Sequence, residues 1–136
     1  MVNTASVRIY ARSQYRASGA TTSTWGDWYT VADTGDVTIT AGTGIGSNSS
    51  YFRTSRKNGV ACVCFATTMA ARTYTGQTSV LFTVSKPPLH EVRVLGSLGS
   101  TVGIFLLKTD GTCVLNNTYT PTSSTWIQGS FTYPYK

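Results

Sequence analysis

Between Gly103 and Tyr133 the chain is patterned for strands and for little else. The run Gly103-Ile104-Phe105-Leu106-Leu107-Lys108 is separated from Thr112-Cys113-Val114-Leu115 by Thr109-Asp110-Gly111. Asp-Gly between two apolar runs is a strong short-range hairpin signal, because such turns need a positive φ that these residues tolerate. A later segment alternates Trp126, Gln128, Ser130 and Thr132 with Ile127, Gly129, Phe131 and Tyr133. A two-residue period makes a strand with two unlike faces. The C-terminal segment is therefore expected inside a sheet rather than in a tail.

The preceding sequence continues in this manner. Ala5, Val7, Ile9 and Ala11 alternate with Ser6, Arg8, Tyr10 and Arg12, a first strand, and residues 18–23 read as a loop. Residues 25–31 are aromatic and β-branched, and Asp33-Thr34-Gly35-Asp36 turns them into Val37-Thr38-Ile39. Residues 41–50 are small and Gly-rich, which predicts a surface loop. Residues 51–55 and 60–66 form arms of a hairpin around Arg56-Lys57-Asn58-Gly59. The second arm is apolar on both faces and is expected to be a central strand covered on both sides. A connection with one helical turn at 68–72 leads to a strand at 78–84. Pro87-Pro88 cannot donate to a ladder and marks a strand exit. Strands at 92–95 and 102–108 are expected to flank a turn at 96–100.

Composition agrees with an all-β domain. Charged residues are 12% of the chain, about half the usual share. Thr and Ser supply the polarity instead, which suits strands with one solvated face and disfavours long surface helices. About nine short strands with turn signals every eight to twelve residues predict a single antiparallel β-sandwich or jelly-roll-like barrel, with little helix. The 136 residues fit one domain, 1–136, of a size that buries roughly two thirds of its unfolded surface.

Charge and cysteines narrow the function classes. The formal charge is +6 and the pI about 9.5, but basic residues are scattered singly, against a nucleic-acid footprint. The one cluster, Arg53 with Arg56-Lys57, reads as a solvated hairpin tip or as a contact for an anionic surface such as a phosphate-bearing glycan. Cys62, Cys64 and Cys113 have no metal-type spacing. Cys62 and Cys64 share a face of one strand and are expected to fill the core. A disulfide from Cys113 to one of them is the alternative. No membrane span or signal-peptide core is visible, so no membrane insertion is expected.

Signals for catalysis are sparse. Glycoside hydrolysis needs two facing carboxylates, for which Asp27 and Glu91 are the candidates. His90 stands beside Glu91 in an exposed setting, without the G-x-S-x-G context of a serine hydrolase. Gly42-Thr43-Gly44-Ile45-Gly46 imitates a phosphate loop but is followed by Ser-Asn-Ser-Ser rather than by a helix. No metal site, cofactor or enzyme is expected. The aromatic set Trp25, Trp28, Tyr29, Tyr51, Tyr119, Trp126, Tyr133 and Tyr135 suits stacking on sugars or anchoring interfaces. Trp126 and Trp28 are expected to plug the ends of the fold.

Taken in order, Trp25-Gly26-Asp27-Trp28, Arg56-Lys57-Asn58-Gly59-Val60-Ala61-Cys62-Val63, Lys86-Pro87-Pro88-Leu89-His90-Glu91-Val92-Arg93-Val94, residues 104–115 and residues 126–133 carry a resemblance. The chain resembles the C-terminal head domains of tailed-phage receptor-binding and tail-fibre proteins, lactococcal-phage heads among them. It departs from them where Arg93 lacks a following proline and where residues 104–107 are apolar. The resemblance implies a non-enzymatic β-sandwich head, homotrimeric, adhering to a host cell-surface saccharide. It places the protein in the virion, at a tail-fibre or baseplate tip among other tail or fibre proteins, after synthesis in the host bacterial cytoplasm. Residues 1–20 would then be the strand and linker nearest a shaft that this sequence does not include. The candidate binding residues are Asn116, Asn117, Tyr119, Arg93 and His90, polar or aromatic groups beside expected turns. The alternatives are a capsid or head-fibre decoration protein and an envelope-glycan degrading enzyme.

Overall fold

The computed structural model describes residues 8–11, 14, 15, 24, 25, 29–33, 37–48, 51–57 and 59–135. The strands are β1 Arg8–Ala11, β2 Gln14–Tyr15, β3 Thr24–Trp25, β4 Tyr29–Asp33, β5 Ile39–Ala41, β6 Phe52–Lys57, β7 Val60–Met69, β8 Val80–Val84, β9 Val92–Leu98, β10 Thr101–Leu107, β11 Thr112–Leu115 and β12 Thr125–Pro134. As the sequence predicts, the protein is all-β, and the described residues contain no α-helix. β1 pairs with β4 and β2 with β3, while the other eight form one antiparallel sheet in the order β5-β8-β11-β10-β9-β12-β7-β6. That sheet curls into a nearly closed barrel.

Closure is visible in the interior. Phe52 on one edge strand meets Phe82, from next to the opposite edge, with ring centroids 5.5 Å apart. Phe65 sits at the centre, 5.2 Å from Phe82, 5.0 Å from Phe105 and 6.0 Å from Phe131. Around these rings pack Val63, Met69, Leu107, Leu115, Ile127 and Tyr133, all buried. Alternation delivers them: on β12, Ile127, Phe131 and Tyr133 are buried while Trp126, Gln128, Ser130 and Thr132 face outward.

The hairpin at 109–111 forms as expected, with a refinement. Only Gly111 takes a positive φ, 89°, in a three-residue loop whose amides and carbonyls close between Lys108 and Thr112. The Asp110 carboxylate instead accepts bonds from the Thr112 amide (2.8 Å) and hydroxyl (2.6 Å). Those bonds, the hydroxyl's first, hold its pKa below the usual carboxylate value.

Four local expectations are corrected. Residues 96–98 belong to β9, and the turn before β10 is confined to Gly99 and Ser100. No helical turn forms at 68–72, because Thr68 and Met69 stay in β7, paired with Trp126 and Thr125. The segment 42–46 is no free loop: the Gly46 amide donates to the Thr68 carbonyl (2.9 Å) and the Ala70 amide to the Gly44 carbonyl (2.8 Å). It thus lies along the tail of β7 beyond the end of β6 and seats Ile45 in the core. β7 is covered on one side only, with Ala61, Val63, Phe65, Thr67 and Met69 buried and Cys64 exposed. Cys62 and Cys64 therefore face outward and do not fill the core. Cys113 points into it, and all three are free thiols.

Elsewhere the edges of β5 and β6 face each other across a gap of about 260 Å³, lined by Ile39, Ala41, Phe52 and Thr54 among others. At the far end, Pro88 bridges to Tyr135 and the Tyr133 hydroxyl donates to the Lys86 carbonyl (3.0 Å). Arg56, expected in a solvated tip, packs its guanidinium 6.0 Å from the Tyr135 ring centre. The expectations for residues 1–7, the loop at 18–23, Asp27, Trp28, the turn at 34–36 and Asn58 lie outside the described residues.

Tyr133 yields a pH prediction. Burial first, and the neighbouring Cys62 second, push its phenol up to about 12 from its ordinary 10. Its contribution to stability is complete below pH 10, where both states are protonated. Between pH 10 and 12 the unfolded chain ionises and the folded one does not, so stability falls as pH rises. Urea unfolding across that window should show the decline, and Tyr133→Phe should flatten it.

Candidate functional site

Within the paired sheet the shortest ladder joins β9 to β12, and its shortness makes a site. Those strands pair only at Leu98 with Ile127 and at Ser97 with Gln128. The ladder stops at Gly96 and Gly129. Both glycines face inward, where the rings of Phe105 and Phe65 take the space a side chain would need: a Cβ on Gly129 would sit 2.6 Å from Phe65 Cζ. The strands splay from that point and leave an outer groove of about 540 Å³, within the range of small-ligand sites.

Side chains from four strands line it. Arg53 comes from β6, Cys64 and Ala66 from β7, Gln128 and Ser130 from β12, and Leu95 and Ser97 from β9, with Tyr51 at one margin. Register explains the grouping, since Arg53 pairs with Cys64 and Cys64 with Ser130. The lining thus combines a mostly apolar wall, to which Phe65, Ala66 and Leu95 contribute, with Tyr51, the amide and hydroxyls of Gln128, Ser97 and Ser130, and one cation. Trp126 is 45% exposed and meets Tyr51 edge-on, centroids 5.5 Å apart at 83°. The expectation that Trp126 plugs an end of the fold is overturned: it occupies an outward position on β12.

No known family model matches the sequence, and no curated protein is significantly similar to it. Among the described residues, no helix is long and apolar enough to cross a membrane, and no three His, Cys, Asp or Glu side chains gather as metal ligands.

The five residues singled out from sequence fall in two separate places. Arg93 pairs across from Leu106, its Nε bonded to Glu91 Oε1 at 2.9 Å, with exposed His90 just before them. Such an exposed ion pair contributes about 0–1 kcal/mol. Asn116, Asn117 and Tyr119 lie past the end of β11, toward the opposite end of the β9–β10 hairpin, where the Tyr119 hydroxyl approaches Gly99. Asn116 Nδ2 donates to Asn117 Oδ1 (3.0 Å), and Tyr119 exchanges backbone bonds with Tyr74 while packing on the core. None of the five lines the groove. Tyr51, Gln128 and Ser130 were passed over as site residues, although the outward parity of Gln128 and Ser130 was legible.

Proposed function

We propose that the chain is a non-enzymatic receptor-binding head of a tailed bacteriophage, borne in the virion at a tail-fibre or baseplate tip, and that it holds host cell-surface saccharide in the β9–β12 groove. The observation that carries this reading is exposed Trp126 packed on half-buried Tyr51 at the margin of a groove that mixes apolar walls with amide and hydroxyl groups. An aromatic face offers a sugar ring a stacking surface, while amides and hydroxyls can bond its hydroxyl groups.

A fluorescent fusion should label a narrow set of bacteria saturably. Tyr51→Ala and Trp126→Ala should each weaken binding at least tenfold, about 1.4 kcal/mol. Asn117→Ala and Arg93→Ala should leave it unchanged. If those two variants abolish labelling and Tyr51→Ala does not, the site lies at the barrel ends instead. Failure to label any candidate host overturns the reading.

The resemblance also implies a homotrimer. Val102, 71% exposed, lies with Ile104 on the outer face of the β9–β10 hairpin, an apolar area that association would cover. Native mass should be three times that of the chain, and Val102→Glu with Ile104→Glu should give monomers. A stable wild-type monomer that binds purified capsids and no cells would favour the decoration protein.

A further inference from the structure

Cys62 and Cys64 stand side by side on the outer face of β7, their sulfurs 3.9 Å apart. Cys64 is exposed and lines the groove, and Cys62 is half-buried. Their surroundings are polar. Ser130 is opposite Cys64 and Thr132 opposite Cys62 on β12, with Arg53 and Ser55 opposite them on β6. Ser130 Oγ lies 3.3 Å from Cys64 Sγ, and the Thr132 hydroxyl donates to Cys62 Sγ at 3.7 Å.

A disulfide fits this geometry poorly. Consecutive same-face residues on a strand have Cα atoms roughly 6.6–6.8 Å apart, the far limit for a disulfide, and their Cβ bonds run parallel rather than toward each other. Closing the sulfurs to bonding distance would buckle a strand held on both sides by β6 and β12. A bridging atom fits without that movement. With metal–sulfur bonds of about 2.3 Å, sulfurs at the observed spacing subtend roughly 116° at the metal, close to a trigonal angle. Because no third His, Cys, Asp or Glu joins the pair among the described residues, a four-ligand zinc centre is disfavoured. Two neighbouring thiolates suit a soft cation of low coordination number.

We propose that Cys62 and Cys64 chelate one thiophilic cation of the copper(I) class. Two sulfur–metal bonds form as two thiol protons pass to solvent, and no electron is transferred. The site shares Cys64 with the groove, but the inference does not rest on the glycan reading.

The test is an anaerobic titration of the reduced, metal-free protein with copper(I) against a chromogenic copper(I) chelator. One equivalent per chain should bind, with thiolate-to-metal charge-transfer absorption in the ultraviolet. Cys62→Ser and Cys64→Ser should each lower affinity more than about 100-fold, and Ser130→Ala, which removes a hydroxyl 3.3 Å from Cys64 Sγ, about 10-fold as an outer-shell change. Cys113→Ala should keep the full stoichiometry. Thermal melts of each variant separate lost ligands from lost fold. Undiminished binding in the folded Cys62→Ser/Cys64→Ser double variant overturns the site, as does failure of the wild type to compete for copper(I). A Cys62–Cys64 disulfide, found by mass spectrometry as the stable form in air, would overturn the geometric argument.

Discussion

Phe65→Ala is expected to remove about 3–5 kcal/mol of stability, enough to unfold much of the population, since single domains hold only about 5–15 kcal/mol in reserve. Phe65 is the hub of the interior: Phe82, Phe105 and Phe131 all pack on it, and it is 1% exposed. Truncation leaves a ring-sized void that strands on opposite walls cannot fill without breaking their ladders. Urea denaturation measures the loss as a lower midpoint. Trp126→Ala is the control. Its ring is larger, but it lies outside the barrel against Tyr51, so its removal should shift stability by about 1 kcal/mol or less. Equal losses from the two variants would mean that the barrel interior is not the main store of stability.

Gly96→Ala is the second large effect, and it acts by crowding. An added methyl would collide with the Gln128 carbonyl oxygen of the neighbouring strand and stand 2.8 Å from Phe105 Cε2. Neither can yield cheaply: the carbonyl belongs to the last paired residue before the strands splay, and the Phe105 ring is locked against Phe65. Overpacking costs about 1–3 kcal/mol and occasionally more, and the upper end is expected here because one of the obstacles is backbone. The groove should suffer as well, because Gly96 is part of its wall. A melting curve and a cell-labelling assay on the same preparation read both effects. A stable Gly96→Ala protein with normal adhesion would show that the splay does not depend on the missing side chain.

Much of this architecture was legible locally. The alternation on β12 identified Ile127, Phe131 and Tyr133 as inward, and the Asp110-Gly111 hairpin appeared where the sequence put it. Errors arose where a residue's environment is set by a distant strand. Cys62 and Cys64 looked like core because their neighbours are apolar, yet parity with Val63 and Phe65 puts them outside. Trp126 looked like a plug because Trp usually buries, although its own alternation with Ile127 already pointed outward. The groove could not be read at all, since it depends on β12 pairing with β9 for two residues and then parting. That pairing joins segments with two strands and two hairpins between them, and no local propensity encodes it. The residues chosen from sequence shared only their nearness to turns, and turns occur at both ends of a barrel.

The gap between β5 and β6 also decides how the barrel comes apart. Residues 42–46 latch one end of it to β7, while along the rest the described edges hold no hydrogen bonds to each other. Local opening therefore begins as a peeling of β6 from the unlatched end. That motion would part Arg56 from the Tyr135 ring before it reaches Phe52, which lies at the latched end opposite Phe65, so the first partly unfolded form presents a strand edge while the phenylalanine cluster is still closed.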